Sequence, residues 1–141
     1  MLVIIKISNP NVCLSFNIEA TPTVIPEELY ACPGESVTYS CVLWQRVGHR
    51  WLVDFTNPSI SNVQQTVLES VEQNQTFTVT TNRGDVFSFV VLSLYPFTSM
   101  MTTIATTDLN GASVTCEGLT VQKESDTSLF HTITEIAGRY E

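Results

Sequence analysis

The chain has 141 residues, 43% of them hydrophobic and 14% charged, with a formal net charge of −8. So acidic a chain repels phosphate backbones and anionic lipid heads, which argues against nucleic acid and membrane-surface partners. Its length suffices to bury a core of its own, and no stretch reaches the roughly 18 consecutive apolar residues of a membrane-spanning helix.

Residues 1–25 form an uncertain N-terminal segment. Met1 to Ile7 is an apolar run broken early by Lys6 and then by Asn9-Pro10-Asn11. It begins like the apolar part of an export signal with a cut after Ala20, although Glu19 is a poor residue beside such a cut. An extra strand, a loose tail or the start of a domain fragment are the other readings.

From Pro26 onward the chain reads as short strands punctuated by turns. Glu27 to Cys32 lies between Pro26 and Pro33 as an edge strand, and Pro33-Gly34 turns the chain. Ser36 to Trp44 alternates, with Val37, Tyr39, Cys41 and Leu43 on one face, which is the period of a half-buried strand. Arg46 to His49 supplies a turn. Arg50 to Phe55 then places Trp51, Val53 and Phe55 on one face, and Asn57-Pro58-Ser59 ends it. Val63, Val67 and Val71 recur at helical spacing, but the β-branched and polar content of Val63 to Val71 favours a strand.

Gln75 to Thr81 alternates Phe77 and Val79 with threonines. Asn82-Arg83-Gly84-Asp85 is turn chemistry leading into Val86 to Tyr95, so these two strands form a hairpin. Pro96 stops the second, and Ser99 to Thr107 is the next strand. Asp108 to Gly111 is a turn whose Asn-Gly pair accepts positive φ at both central positions. Ala112 to Glu117 carries Cys116. Val121 to Thr127 reads as a polar connection, and Ser128 to Ile136 closes the series with Leu129, Ile133 and His131 facing inward. The expected fold is an all-β sandwich of two antiparallel sheets with eight or nine strands, over residues 26–137, with 138–141 as tail.

Four cysteines permit three pairings. Without paired Cys-x-x-Cys knuckles, disulfides fit a β-rich chain better than a metal site, and disulfides point to an oxidising, exported location. Cys41 faces the core with Trp51, and Cys116 sits on a similar strand; two buried free thiols are the alternative to a bond. Cys13 and Cys32 are the second candidate pair, clipping the N-terminal segment to the first strand.

Cys32-Pro-Gly-Glu-Ser-Val-Thr-Tyr-Ser-Cys41, then Trp51, then Asp108-Leu-Asn-Gly-Ala-Ser-Val-Thr-Cys116 resembles the immunoglobulin-like domains of invertebrate cell-surface proteins, over roughly residues 27–137. The resemblance implies a Cys41–Cys116 disulfide, a core Trp51 and a role in extracellular recognition or adhesion. Val114 stands where the family often carries a corner tyrosine two residues before the second cysteine, so the resemblance implies a variant or divergent subtype.

Two short motifs carry recognition chemistry. Arg83-Gly84-Asp85, at a hairpin tip, is a candidate integrin-type motif, and the same residues are ordinary turn formers. Asn74-Gln75-Thr76 is an N-glycosylation sequon, usable if the chain is exported. His49 and His131 have no ligand-spaced partner in sequence, so no metal or catalytic role is expected of either. There is no Gly-x-Ser-x-Gly elbow, Ser-x-x-Lys motif or phosphate loop; Glu27-Glu28 reads as solvated edge charge. No cofactor and no active site are expected.

The expected function is therefore a non-enzymatic extracellular recognition or adhesion module with a protein partner on a cell surface or matrix. The expected contact loops are Gln45–Arg50, Asn110-Gly111 and Gly118–Thr127. The alternatives are a structural spacer of a longer receptor and a carbohydrate-binding sandwich, for which Trp44 is the one outward aromatic platform.

Overall fold

Alternating apolar and polar residues, broken every few positions by Pro, Gly and Asn, produce strands short enough to stack as two sheets. The computed structural model describes residues 2–6, 13–17, 28–43, 48–68, 73–94, 96–119 and 125–133, the first two stretches and residue 43 by backbone alone. Strands β1 (Leu2–Lys6) and β2 (Cys13–Asn17) pair with each other as a separate antiparallel ribbon.

The sandwich is built from β3 (Glu28–Ala31), β4 (Ser36–Leu43), β5 (His49–Asp54), β6 (Val63–Val67), β7 (Thr76–Thr80), β8 (Val86–Leu94), β9 (Phe97–Ile104), β10 (Ser113–Gly118) and β11 (Ser125–Thr132). One sheet has the order β3-β11-β10-β5-β6 and the other β4-β9-β8-β7. The all-β sandwich expected from the sequence is thus present, with nine strands in two sheets. One pairing departs from the antiparallel expectation: β3 runs parallel to β11, with Glu28 opposite Leu129 and Ala31 opposite Thr132.

The inward faces follow strand parity. Val37, Tyr39 and Cys41 from β4 meet Trp51 and Val53 from β5, Phe87, Phe89 and Val91 from β8, and Phe97 and Met101 from β9. Tyr39, Trp51, Phe87, Phe89 and Phe97 are its largest side chains, and each such aromatic removes some 150–250 Å² from water. Phe55 packs at the margin, its ring edge-on to Phe87 at 6.2 Å.

The last strand corrects the expected parity. Leu129 is 40% exposed, whereas Phe130 is fully buried and Ser128 and Thr132 face inward beside it. Counting apolar residues favours the Leu129, His131 and Ile133 face. The structure instead buries the largest side chain and gives its polar neighbour a partner, for Thr132 Oγ1 donates to the Thr106 carbonyl at 2.7 Å. The strand also starts at Ser125, inside the stretch read as a connection.

Two connections differ from expectation. β8 ends at Leu94 and β9 begins at Phe97 rather than Ser99. After β9 a short 3-10 turn, Thr107–Leu109, precedes Asn110-Gly111. Asn110 has φ −62° and ψ 125°, and only Gly111 has positive φ, at 84°. Ala112 N–H donates to the Leu109 carbonyl at 2.9 Å, which makes a type II turn. The mirror-image hairpin turn has no use here, because β9 and β10 lie in different sheets.

Candidate functional site

Cys41 on β4 and Cys116 on β10 bond across the two sheets, with Cα atoms 6.4 Å apart and 75 positions between them in sequence. Trp51 lies directly opposite Cys116 in the β5–β10 register and is fully buried. Its indole N–H donates to Ser99 Oγ at 2.9 Å, which satisfies the one polar atom of the ring. Cys32 is also disulfide-bonded. Its expected partner, Cys13, has a side chain outside the described residues, as does Trp44 in full.

His49 is the core residue the sequence misplaces. Read as part of a turn, it instead opens β5 and is fully buried. Gly48 fits just before it because a Cβ there would stand 2.4 Å from the Val67 carbonyl oxygen. His49 Nδ1 lies 2.7 Å from Ser99 Oγ. Ser99 Oγ thus serves both rings, accepting from the Trp51 indole and either donating to His49 Nδ1 or accepting from it according to the imidazole tautomer. Nε2 has no hydrogen-bond partner among the described residues, and Phe97 meets the ring edge-on at 4.8 Å. Burial holds the imidazole neutral, lowering its pKa from 6.5 to about 4.

Cys41, His49 and Cys116 place their ligand-type atoms within 4.8 Å of one another. That is metal-ligand spacing, yet both sulfurs are joined to each other, so no thiolate is free to bind an ion. In this oxidised form the arrangement is a packed polar spot in an apolar core.

At the β7–β8 turn, Gly84 takes φ +91° as the turn requires. Arg83 points outward and its guanidinium reaches Asp108 at 3.4 Å. Asp85 points the other way: it is 8% exposed, and its carboxylate accepts from Thr106 Oγ1 at 3.0 Å. Its backbone N–H in turn donates to Thr81 Oγ1 at 3.1 Å. A carboxylate held in this way closes a turn and is not displayed for a receptor-bound metal ion. Asn74, by contrast, is exposed at the turn before β7, in a left-handed conformation with φ 71°.

The outer face of the five-stranded sheet holds the polar constellation that sequence spacing hides. Tyr30 on β3 and His131 on β11 stack with ring centroids 4.4 Å apart and planes 14° from parallel. Both reach the same carboxylate oxygen, for Tyr30 Oη donates to Glu28 Oε1 at 2.9 Å and His131 Nε2 lies 3.1 Å from it. That hydrogen bond raises the Tyr30 pKa above its ordinary value, with smaller contributions from desolvation and from the Glu28 charge. The trio exists because β3 lies parallel to β11 and brings position 30 opposite position 131. Farther across the same face, Arg50 and Glu117 are register partners 3.6 Å apart.

Of the expected contact loops, Asn110 is exposed and its side-chain oxygen accepts the Thr132 N–H at 2.9 Å. Residues 45–47 and 120–124 lie outside the described residues, so the other two loops are described only at their ends. No helix among the described residues is long and apolar enough to cross a membrane. No protein-family model matches the chain, and no curated protein matches it.

Proposed function

We propose that this chain is an immunoglobulin-like recognition module of the extracellular space or of a receptor ectodomain, acting by binding and not by catalysis. One observation carries the reading: the Cys41–Cys116 bond joining the two sheets, with Trp51 buried opposite Cys116. Cysteine, tryptophan and cysteine on those strands are the hallmarks of the immunoglobulin sandwich. A core disulfide also belongs to an oxidising compartment.

The surface best suited to contact is the outer face of the five-stranded sheet. Glu28, Tyr30 and His131 offer a stacked aromatic pair with fixed polar atoms, and Arg50 with Glu117 adds a charged pair nearby. Tyrosine is suited to this use because it contributes a large, rigid contact area with few rotatable bonds.

The test is to secrete the chain from cells, tetramerise it and measure its binding to cells and matrix of the source tissue. Wild-type chain should bind saturably, and the Tyr30→Ala/His131→Ala pair should weaken binding at least tenfold while leaving the fold intact. Binding that is indifferent to this pair and to Arg50→Glu would move the contact elsewhere. Absence of saturable binding would favour the spacer reading.

A further inference from the structure

The two sheets differ sharply in charge. The five-stranded sheet carries Glu28, Arg50, Asp54, Glu117 and Asp126 in its strands. The strands of the four-stranded sheet, β4, β7, β8 and β9, contain no Asp, Glu, Lys or Arg at all. Its outer face is laid out in rows of hydroxyls and small apolar groups. One row runs Thr38, Thr102, Ser88, Thr78 across all four strands, with the first two hydroxyls 3.3 Å apart. Val86 and Ile104, 46% and 50% exposed, are on the same face.

This sheet ends at β7, which pairs with β8 on one side and has no strand on its other side among the described residues. Exposed sheet edges are normally blunted by lysine, proline, a bulge or an inward charge, because an open row of backbone donors and acceptors templates another strand. β7, Thr-Phe-Thr-Val-Thr, has none of these, and the chain stays uncharged from Gln73 to Asn82.

We propose that β7 is a self-association edge that pairs antiparallel with β7 of a second copy of this chain. Two features select a second copy over other partners. First, the strand is symmetric about Thr78: a twofold axis there sets Thr78 against itself, Thr76 against Thr80, and Phe77 against Val79. Both faces are then matched, since the threonines are exposed and Phe77 and Val79 pack against the core. Cross-strand threonine pairs and aromatic with β-branched pairs are both favourable, and a twofold contact closes at a dimer. Second, copies with a net charge of −8 repel one another, so they approach most easily where neither presents charge. The result is a continuous eight-stranded sheet across the dimer. A five-residue edge gives a small interface, in the class of weak and transient contacts below about 1,200 Å².

The test is sedimentation equilibrium on the folded, disulfide-bonded chain bearing Asn74→Gln, because a glycan at Asn74 would stand at the start of this edge. A monomer–dimer equilibrium with Kd on the order of 10⁻⁵ M is expected, tightening in added salt as the acidic copies are screened from each other. Thr78→Lys sets two ammonium groups face to face on the axis and should weaken dimerisation at least tenfold, although it lowers the net negative charge. Thr76→Lys, a second variant on the same strand, should act in the same direction. Thr38→Lys, on the opposite edge strand of the same sheet, should leave the equilibrium within twofold, and circular dichroism melts check that all three variants fold. A chain that stays monomeric up to about 1 mM, a dimer insensitive to both β7 variants, or an equal loss in Thr38→Lys would each overturn the proposal.

Discussion

Protonating His49 should loosen the fold, and its size follows from the site. The ring is fully buried beside Ser99, Trp51, Phe97 and the Cys41–Cys116 bond, and desolvation alone lowers its pKa from 6.5 to about 4. In the unfolded chain the imidazole takes its proton near 6.5, but in the folded chain only near 4. Between those values the unfolded state binds more protons, so stability falls as pH falls through the window and levels off below it. A difference of roughly 2.5 units at 1.36 kcal/mol each gives about 3 kcal/mol. Urea unfolding near pH 7.5 and near pH 4.5 measures this loss. Carboxylates also titrate at the lower end, so the comparison is with His49→Asn, whose side-chain amide can still pair with the Ser99 hydroxyl in either direction. The variant should lack most of the pH dependence above pH 5. Parallel loss of stability in both proteins, or an imidazole that titrates near 6.5 in the folded chain, would refute the reasoning.

The disulfide closes a span of 75 positions, and Cys41→Ala/Cys116→Ala should cost about 4 kcal/mol of chain entropy; an unchanged urea midpoint would contradict this. Asp85→Ala removes the acceptor of Thr106 and should cost about 1–3 kcal/mol. Cell adhesion that depends on integrins should be absent from the wild-type chain already, and Asp85-dependent adhesion would show that the turn opens. Gly48→Ala and Gly34→Ala should fail for different reasons and by different amounts. The first drives a Cβ into the Val67 carbonyl and should cost at least about 2 kcal/mol. The second has open space but φ +88°, and should cost only about 1 kcal/mol. Thermal melts of the pair would rank them.

Much of the sandwich is legible because strand parity is a local property. Val37, Tyr39 and Cys41 alternate with threonine and serine, and Trp51 with Val53 repeats the pattern, so one strand at a time announces its buried face. Parity becomes ambiguous where both faces carry one strong apolar residue. Leu129 and Phe130 are such a pair, and the tie is broken by what the neighbouring elements offer: Ala112 and Gly111 bond to the Phe130 backbone, and Thr106 accepts from Thr132. His49 is hidden for another reason. A histidine after glycine reads as turn, and its burial depends on Ser99, fifty positions away, already bonded to Trp51. The Glu28, Tyr30 and His131 trio depends on a parallel register between strands about a hundred positions apart, which no local spacing encodes. The β7 edge, open among the described residues, is the opposite case. Its lack of charge is plain in the letters, but only the strand order says that it is an edge.

The parallel alignment of β3 with β11 also fixes how the domain bears a load. A pull that enters at Glu28 and leaves beyond Thr132 draws the two strands past each other lengthwise, so their four aligned pairs resist together in shear, whereas tension entering through the disulfide at Cys32, at the other end of β3, peels them apart one by one. Should they yield, the bond between Cys41 and Cys116 still withholds the chain between them, about 250 Å of contour at full extension. The domain would therefore lengthen by a short, limited step under tension and keep its central strands tethered for recoil.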